Sequence, residues 1–313
     1  MRKRNIIIGA VLVALALAVA GFCIIEFLFP KVGVCLSGAG VNAGQELGQA
    51  LRSELVRSGC TVLNRNAGNH REKQLDQVKE LLSKDVDILV LQPVAEDMLA
   101  EILPLAGKTP VIVVGTEPEN LGNAYFIGCD KDQQARAQAQ LVEQMFAKTD
   151  INGDRTVKYL LLIGPEEDAD TARYVQNVEE VLSSASALLL QKVATERTEA
   201  AGKAACKQAL SKYGRDMELI FCGDSALTMG AVEAVRDSGR TPGRDVILFG
   251  IGSLDSCKEL IRTGALTAAA VEDIATIRDR IIQTVKTIRN GGEVSQRTSV
   301  EHIILTIDNI DKY

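Results

Sequence analysis

Short, continuously apolar runs alternate with longer stretches whose apolar residues recur every three or four positions, and this rhythm holds from Lys31 to the end of the chain. Runs of four to eight apolar residues read as buried strands, and their alternation with helical stretches reads as βαβ units of a parallel sheet. The pattern predicts strands over 31–36 (KVGVCL), 61–63, 88–92 (ILVLQ), 111–114 and 124–128 (AYFIG), with helices over 46–58, 74–82 and 96–105. It then restarts. Helices are predicted over 131–146, 171–183, 200–212, 226–236 and 254–262, and strands over 157–163 (VKYLLLI), 187–194, 218–222 (ELIFC), 246–249 and 268–271. Two successive Rossmann-like sets without a flexible linker imply two similar α/β lobes with parallel sheets. A last helix over 274–289 and a strand over 303–307 must return to them, so the backbone is expected to cross between lobes more than once and form a hinge.

The N-terminus breaks this rhythm. Arg2, Lys3 and Arg4 precede the run Ile6 to Phe29, in which only Cys23 and Glu26 can ionise, and Pro30 ends it. As a helix the run would extend about 36 Å, against a hydrocarbon core of about 30 Å. Residues 1–30 are therefore expected to be a transmembrane anchor, with the basic end in the cytoplasm and the rest of the chain outside it. The A-x-A-like Ala18-Val19-Ala20 leaves a cleaved signal peptide as the alternative. Continuation of the apolar run to Phe29 favours the anchor, and bulky Phe22 weighs against lipid attachment at Cys23.

Composition narrows the function more than the fold. The net charge of -6 comes without a cluster of Lys and Arg beyond the first few residues, so a nucleic-acid groove has no candidate. The cysteines from Cys35 onward are scattered, none in a C-x-x-C pair, and Cys35 and Cys222 lie inside apolar strands where a thiol acts as a small hydrophobe. His70 and His302 stand far apart, which leaves zinc and thiol chemistry poorly supported. Gly38-Ala39-Gly40 lacks the third glycine of a dinucleotide turn, and no nucleophile elbow, H-E-x-x-H or P-loop is present. A binding module rather than an enzyme is expected.

Three segments carry a more specific signal: DINGDRTVKYLLLIG (150–164), GDSALTMGAVEAV (223–235), and LFGIG with LIRTGAL (248–252 and 260–266). In them the chain resembles the type I periplasmic binding proteins, most closely the sugar-type members that bind galactose and glucose. The resemblance runs from about Lys31 to Tyr313. It implies one lobe of 31–130 plus 273–292 and another of 131–272 plus 293–313. It also implies capture of a small polar solute between them for delivery to an ABC importer. A membrane-anchored sensory receptor signalling to a histidine kinase or similar partner is the alternative. A DNA-binding repressor of the same fold is excluded by the apolar span standing where its headpiece would be.

In open α/β sheets ligands sit beyond the carboxyl ends of the strands. That rule selects Asn42, Gln92, Thr116, Asp168, Asp170, Arg173, Arg197, Asp224 and Glu272 as ligand-binding candidates. The resemblance shows departures. Family acidic and aromatic positions fall on Val41 and Ala43, an Asn falls on Gly115, a Trp on Arg197 and a hinge Asp on Gly252. Asp170 and Arg173 are retained, Asp224 and Glu272 replace asparagines, and Asp168 replaces a His. The chain has no Trp and 4% aromatic residues, so a hexose would lose its stacking platforms. The set suits a charged ligand, with Arg173 as an anion clamp, or a polyol read by hydrogen bonds; it also leaves open a pocket whose main task is no longer binding.

Asp150, Asn152, Asp154, Thr156 and Lys158 alternate as the odd positions of a calcium loop do. The resemblance places Glu218 as the remote ligand that completes it. Calcium is thus the one ion the chain could take, through Asp150, Asn152, Asp154, Thr156 and Glu218. Arg155 stands at the sixth position, normally Gly, and Lys158 at the ninth, normally an oxygen donor. An ammonium there repels a cation, so Lys158, assisted by Arg155, is expected to replace the ion.

Overall fold

Neighbouring side chains of a strand point to opposite faces, so a strand that is apolar throughout needs cover on both sides. Most strands of this chain are of that kind, and the computed structural model, which describes residues 29–38, 43–115, 117–118 and 120–313, supplies such cover. Residues 1–28 of the expected anchor lie outside those residues. Among those described, no helix is long and apolar enough to cross a membrane.

In chain order the elements begin with β1 (Lys31–Leu36), α1 (Ala43–Arg57), β2 (Thr61–Asn66), α2 (Arg71–Ser83), β3 (Ile88–Leu91), α3 (Leu99–Ala106), β4 (Val111–Val114) and β5 (Tyr125–Cys129). They continue with α4 (Lys131–Gln144), α5 (Phe146–Thr149), β6 (Val157–Ile163), α6 (Ala169–Ser184), β7 (Ala187–Ala194), α7 (Glu199–Tyr213), β8 (Leu219–Cys222) and α8 (Ser225–Asp237). The chain closes with β9 (Ile247–Gly252), α9 (Leu254–Arg262), β10 (Ala268–Val271), α10 (Ile274–Arg289), β11 (Arg297–Val300) and β12 (Ile303–Thr306).

These elements form two compact units. One reaches to Gly128 and resumes over Ile274–Thr298; the other comprises Cys129–Asp273 and Ser299–Tyr313. Each has a six-stranded sheet, in the orders β11-β5-β4-β3-β1-β2 and β12-β10-β9-β8-β6-β7. The pairings of β1 with β2 and β3, β3 with β4, and β4 with β5 are parallel. In the second sheet β6 pairs parallel with β7 and β8, β8 with β9, and β9 with β10, while β12 runs antiparallel to β10.

The period of two decides which core each residue joins. Tyr159, Leu161 and Ile163 of β6 pack with Phe221 and Phe249 against Ala135, Val142 and Val178 of α4 and α6. Leu160 and Leu162 face the other way, with Cys206, Leu227, Ala231 and Ile261 of α7, α8 and α9. Each fully buried Leu or Phe contributes about 1.5–3 kcal/mol. The six described cysteines are buried and form no disulfide, and burial pushes the thiols of Cys129, Cys206 and Cys257 up to about 12.

Several elements differ from the pattern: the strand expected over 61–63 runs on to Asn66, and that expected over 246–249 runs on to Gly252. β11 (RTSV) is polar at three of its four positions and lies at the edge of its sheet, so it lacks the apolar run that marks an inner strand. The helix predicted over 131–146 stops at Gln144, because Met145 leaves helical geometry (φ -110, ψ 19) before α5 begins.

Candidate functional site

Five helices of the second unit, all but the four-residue α5, open on capping side chains placed beyond the preceding strands. Asp130, Asp168, Thr198, Asp224 and Ser253 each accept a backbone N–H of the first turn of α4, α6, α7, α8 and α9. Such caps satisfy donors that a helix cannot satisfy itself. The polar residues beyond these strands are therefore held in fixed positions along the carboxyl edge.

Asp168 and its neighbours form a connected set of ion pairs there. Asp168 Oδ1 accepts the N–H of Asp170 at 2.9 Å, and its Oδ2 accepts Arg197 Nη2 at 2.5 Å. The same guanidinium nitrogen donates to Thr171 Oγ1 at 3.0 Å. Arg197 lies over the end of β6 so closely that a Cβ on Gly164 would stand 2.5 Å from its Nε. Asp170 is shared between two cations. Lys131 donates to Oδ2, and Arg173 Nη2 donates to Oδ1 at 3.2 Å. Arg173 also approaches Asp132 Oδ1 with Nε at 3.9 Å. Although burial works to raise the Asp170 carboxyl, Lys131 and Arg173 hold it below its usual value.

Glu272 follows β10 and keeps an accessible side chain. Desolvation by surrounding protein atoms raises its pKa, and the Lys131 ammonium opposes that rise. Asp224 accepts the N–H of Ala226 through Oδ1 at 2.8 Å; among the described residues nothing binds its Oδ2. The sequence-selected Asp168, Asp170, Arg173 and Arg197 thus converge, and Lys131 joins them. Lys131 escapes selection because the strand over 124–128 closes the first set and Lys131 opens the predicted helix, although it follows β5 as closely as the others follow their strands.

In the first unit the edge is sparser among the described residues. Gln92 follows β3, its backbone carbonyl accepting Gln74 Nε2 at 2.8 Å, while its own Oε1 is buried without a hydrogen-bond partner. Its amide packs over Gly115, whose φ of +102 suits glycine. Asn42 and Thr116 lie outside the described residues.

At the opposite end of β6 the acidic loop closes on itself. Carboxylate oxygens of Asp150, Asp154 and Glu218 lie within 4.8 Å of one another. Asp154 N donates to Asn152 Oδ1 at 2.8 Å, Thr156 N to Asp154 Oδ1 at 2.9 Å, and Arg155 N to Asp150 Oδ2 at 3.1 Å. Glu218, buried just before β8, accepts the N–H of Asn152 at 2.9 Å and of Lys158 at 3.0 Å. The Lys158 ammonium pairs with Asp154 Oδ2. Arg155 contributes its backbone N–H here, in the left-handed region at φ +68.

Residues 32–293 match the family described as the periplasmic binding protein domain. The D-galactose/methyl-galactoside binding periplasmic protein MglB of Haemophilus influenzae is 23% identical over 260 residues, covering 79% of this chain and 77% of that one. A Bacillus halodurans ABC transporter solute binding protein with bound myo-inositol superposes with a TM-score of 0.75 at 16% identity, covering 91% of this chain and 96% of that one. A periplasmic ribose ABC transporter structure from Conexibacter woesei gives 0.80 at 17% identity, with 91% and 94% covered. The structural likeness is one of fold: two α/β units with predominantly parallel sheets.

Proposed function

Since the chain belongs to the periplasmic binding protein family, in its type I, sugar-type branch, we propose that it captures a small, neutral, polyhydroxylated ligand outside the cytoplasm and presents it to an ABC importer. It is a solute-binding protein and not an enzyme. The extracytoplasmic placement is supported by the basic Arg2-Lys3-Arg4 cluster and the apolar run behind it. The relatives carry transport names, and the sensory reading draws nothing from them.

The observation that carries the ligand class is the chain of ion pairs at the carboxyl edge of the second sheet. Lys131, Arg173 and Arg197 are each already engaged by a carboxylate. An anionic ligand on the spare N–H groups of Arg173 or Arg197 would bring its charge beside the Asp170 and Asp168 carboxylates, a like-charge contact that is costly. A sugar hydroxyl is both donor and acceptor. It can donate to a carboxylate and accept from a guanidinium while leaving the pairs in place. Among the described residues, no aromatic side chain directly follows a strand at this edge. Tyr159, Phe221 and Phe249 stack edge-to-face in the core, and Tyr174 is buried with its hydroxyl donating to Gln138. That supports recognition through hydrogen bonds rather than ring stacking.

A thermal-shift panel tests the reading, with myo-inositol, ribose, arabinose, glucose and galactose on one side and glucuronate and phosphate on the other. A neutral polyol is expected to stabilise the chain by about 2.7 kcal/mol at a hundredfold excess over Kd. Asp170→Asn is expected to erase that shift. A response confined to the anions would overturn the ligand class, and no response from any sugar-like compound would overturn solute capture of this kind.

A further inference from the structure

We infer that the acidic loop between α5 and β6 is a metal-free clamp, in which the Lys158 ammonium takes the place that a calcium ion would otherwise fill. This goes beyond solute capture and is independent of what the carboxyl edge binds.

A calcium ion needs six to eight oxygen ligands at about 2.3–2.6 Å, drawn from carboxylates, amide carbonyls and backbone carbonyls turned inward. The loop has the carboxylates, but an ammonium already stands among them, paired with Asp154 Oδ2. Asp150, Asp154 and Glu218 together offer six oxygens. Five have donors: Asp150 Oδ2 from Arg155 N, Asp154 Oδ1 from Thr156 N, Asp154 Oδ2 from Lys158 and Asn152, and the two Glu218 oxygens from the N–H groups of Asn152 and Lys158. Only Asp150 Oδ1 is buried without a partner. The neighbouring amide of Asn152 places a second donor on Asp154, its Nδ2 lying 3.1 Å from Oδ2, while its own Oδ1 accepts the N–H of Asp154. Asp154 Oδ2, with Lys158 and Asn152 as donors, has no lone pair left for an ion, and the ammonium beside it repels one.

The position of the lysine explains how three carboxylates tolerate one another. Like charges at such separations repel unless a cation or several donors stand among them. Here backbone N–H groups share part of the charge and an ammonium supplies the rest, its side chain 22% exposed against 42% for Asp154. Because Lys158 belongs to β6, the counter-charge is covalently built into the sheet. The clamp joins the loop to β6 and, through Glu218, to the start of β8 without depending on an ion in solution.

Melting curves and calorimetry on the full chain test this. Wild-type protein stripped with EGTA is expected to melt at an unchanged temperature when millimolar calcium is added, and calcium titration should give no saturable heat. Lys158→Gln, which restores an oxygen donor in the ninth place, should melt about 2 °C lower in EGTA. Adding Asp154→Asn to that variant should recover stability, since it removes one of the carboxylates left without a counter-charge. A calcium-dependent rise in the wild-type melting temperature, or a saturable calcium heat, would overturn the inference without recourse to any variant. So would a Lys158→Gln protein as stable as wild type in EGTA, or a double variant less stable than the single one.

Discussion

His302 is 8% exposed, its Nδ1 is buried without a hydrogen-bond partner, and burial pushes its pKa down to about 4. Asp130 and its backbone pull that value up, and Lys131 pulls it down. The folded pKa lies below the unfolded one near 6.5, so the unfolded chain binds the proton first as pH falls. The contribution of neutral His302 is therefore fully present above about pH 6.5 and is lost progressively towards pH 4, by up to about 3 kcal/mol. Urea unfolding at pH 7, 5.5 and 4.5 should show this decline, and His302→Gln should flatten it. An unchanged slope in the variant would assign the decline to other groups. At this scale the sequence was informative about residue type and less so about duty. The carboxyl-edge rule found Asp168, Asp170, Arg173 and Arg197, but not that Asp168 and Asp224 also cap helices, nor that Lys131 bridges Asp170 and the region of Glu272. Those facts depend on which side chains of separate elements converge, and no local spacing records that.

Among elements, α7 and α8 lie nearly backbone to backbone. A Cβ on Gly230 would stand 2.3 Å from the carbonyl oxygen of Glu199 and 2.5 Å from the nitrogen of Lys203, and one on Gly202 would stand 3.0 Å from Leu227 Cα. Neither backbone can yield as a flexible side chain would. Gly230→Ala is thus expected to destabilise by about 1–3 kcal/mol, even though alanine is the better helix former. A chemical-denaturation midpoint equal to wild type would show that the helices can separate at little cost. Inner strands such as VIVV of β4 were legible because burial on both faces leaves a continuous apolar run. β11 was not, since an edge strand of Arg, Thr, Ser and Val carries no such run, and its pairing is fixed by a partner distant in sequence.

For the molecule as a whole, the alternating pattern was sufficient to anticipate two sheets, and the late helix and strand were sufficient to anticipate a returning backbone. The chain passes between units at 128/129, 273/274 and 298/299, so neither unit is a continuous piece of sequence. The first depends on α10, which buries Ile277, Ile281, Ile282 and Val285. A fragment of residues 29–128 is expected to lack a cooperative urea transition, whereas the same residues joined by a short linker to 274–298 should show one. A cooperative transition in the shorter fragment would mean that α1–α3 and β1–β5 suffice alone. The row of caps in the second unit also bears on redesign. Asp168 and Asp224 hold α6 and α8 in place as well as bordering the edge, so exchanging them to admit a new guest would loosen the scaffold itself. Arg173, Arg197 and Glu272 cap no helix, and a library aimed at altered selectivity is best started there, with Asp170 varied alongside its partner Arg173.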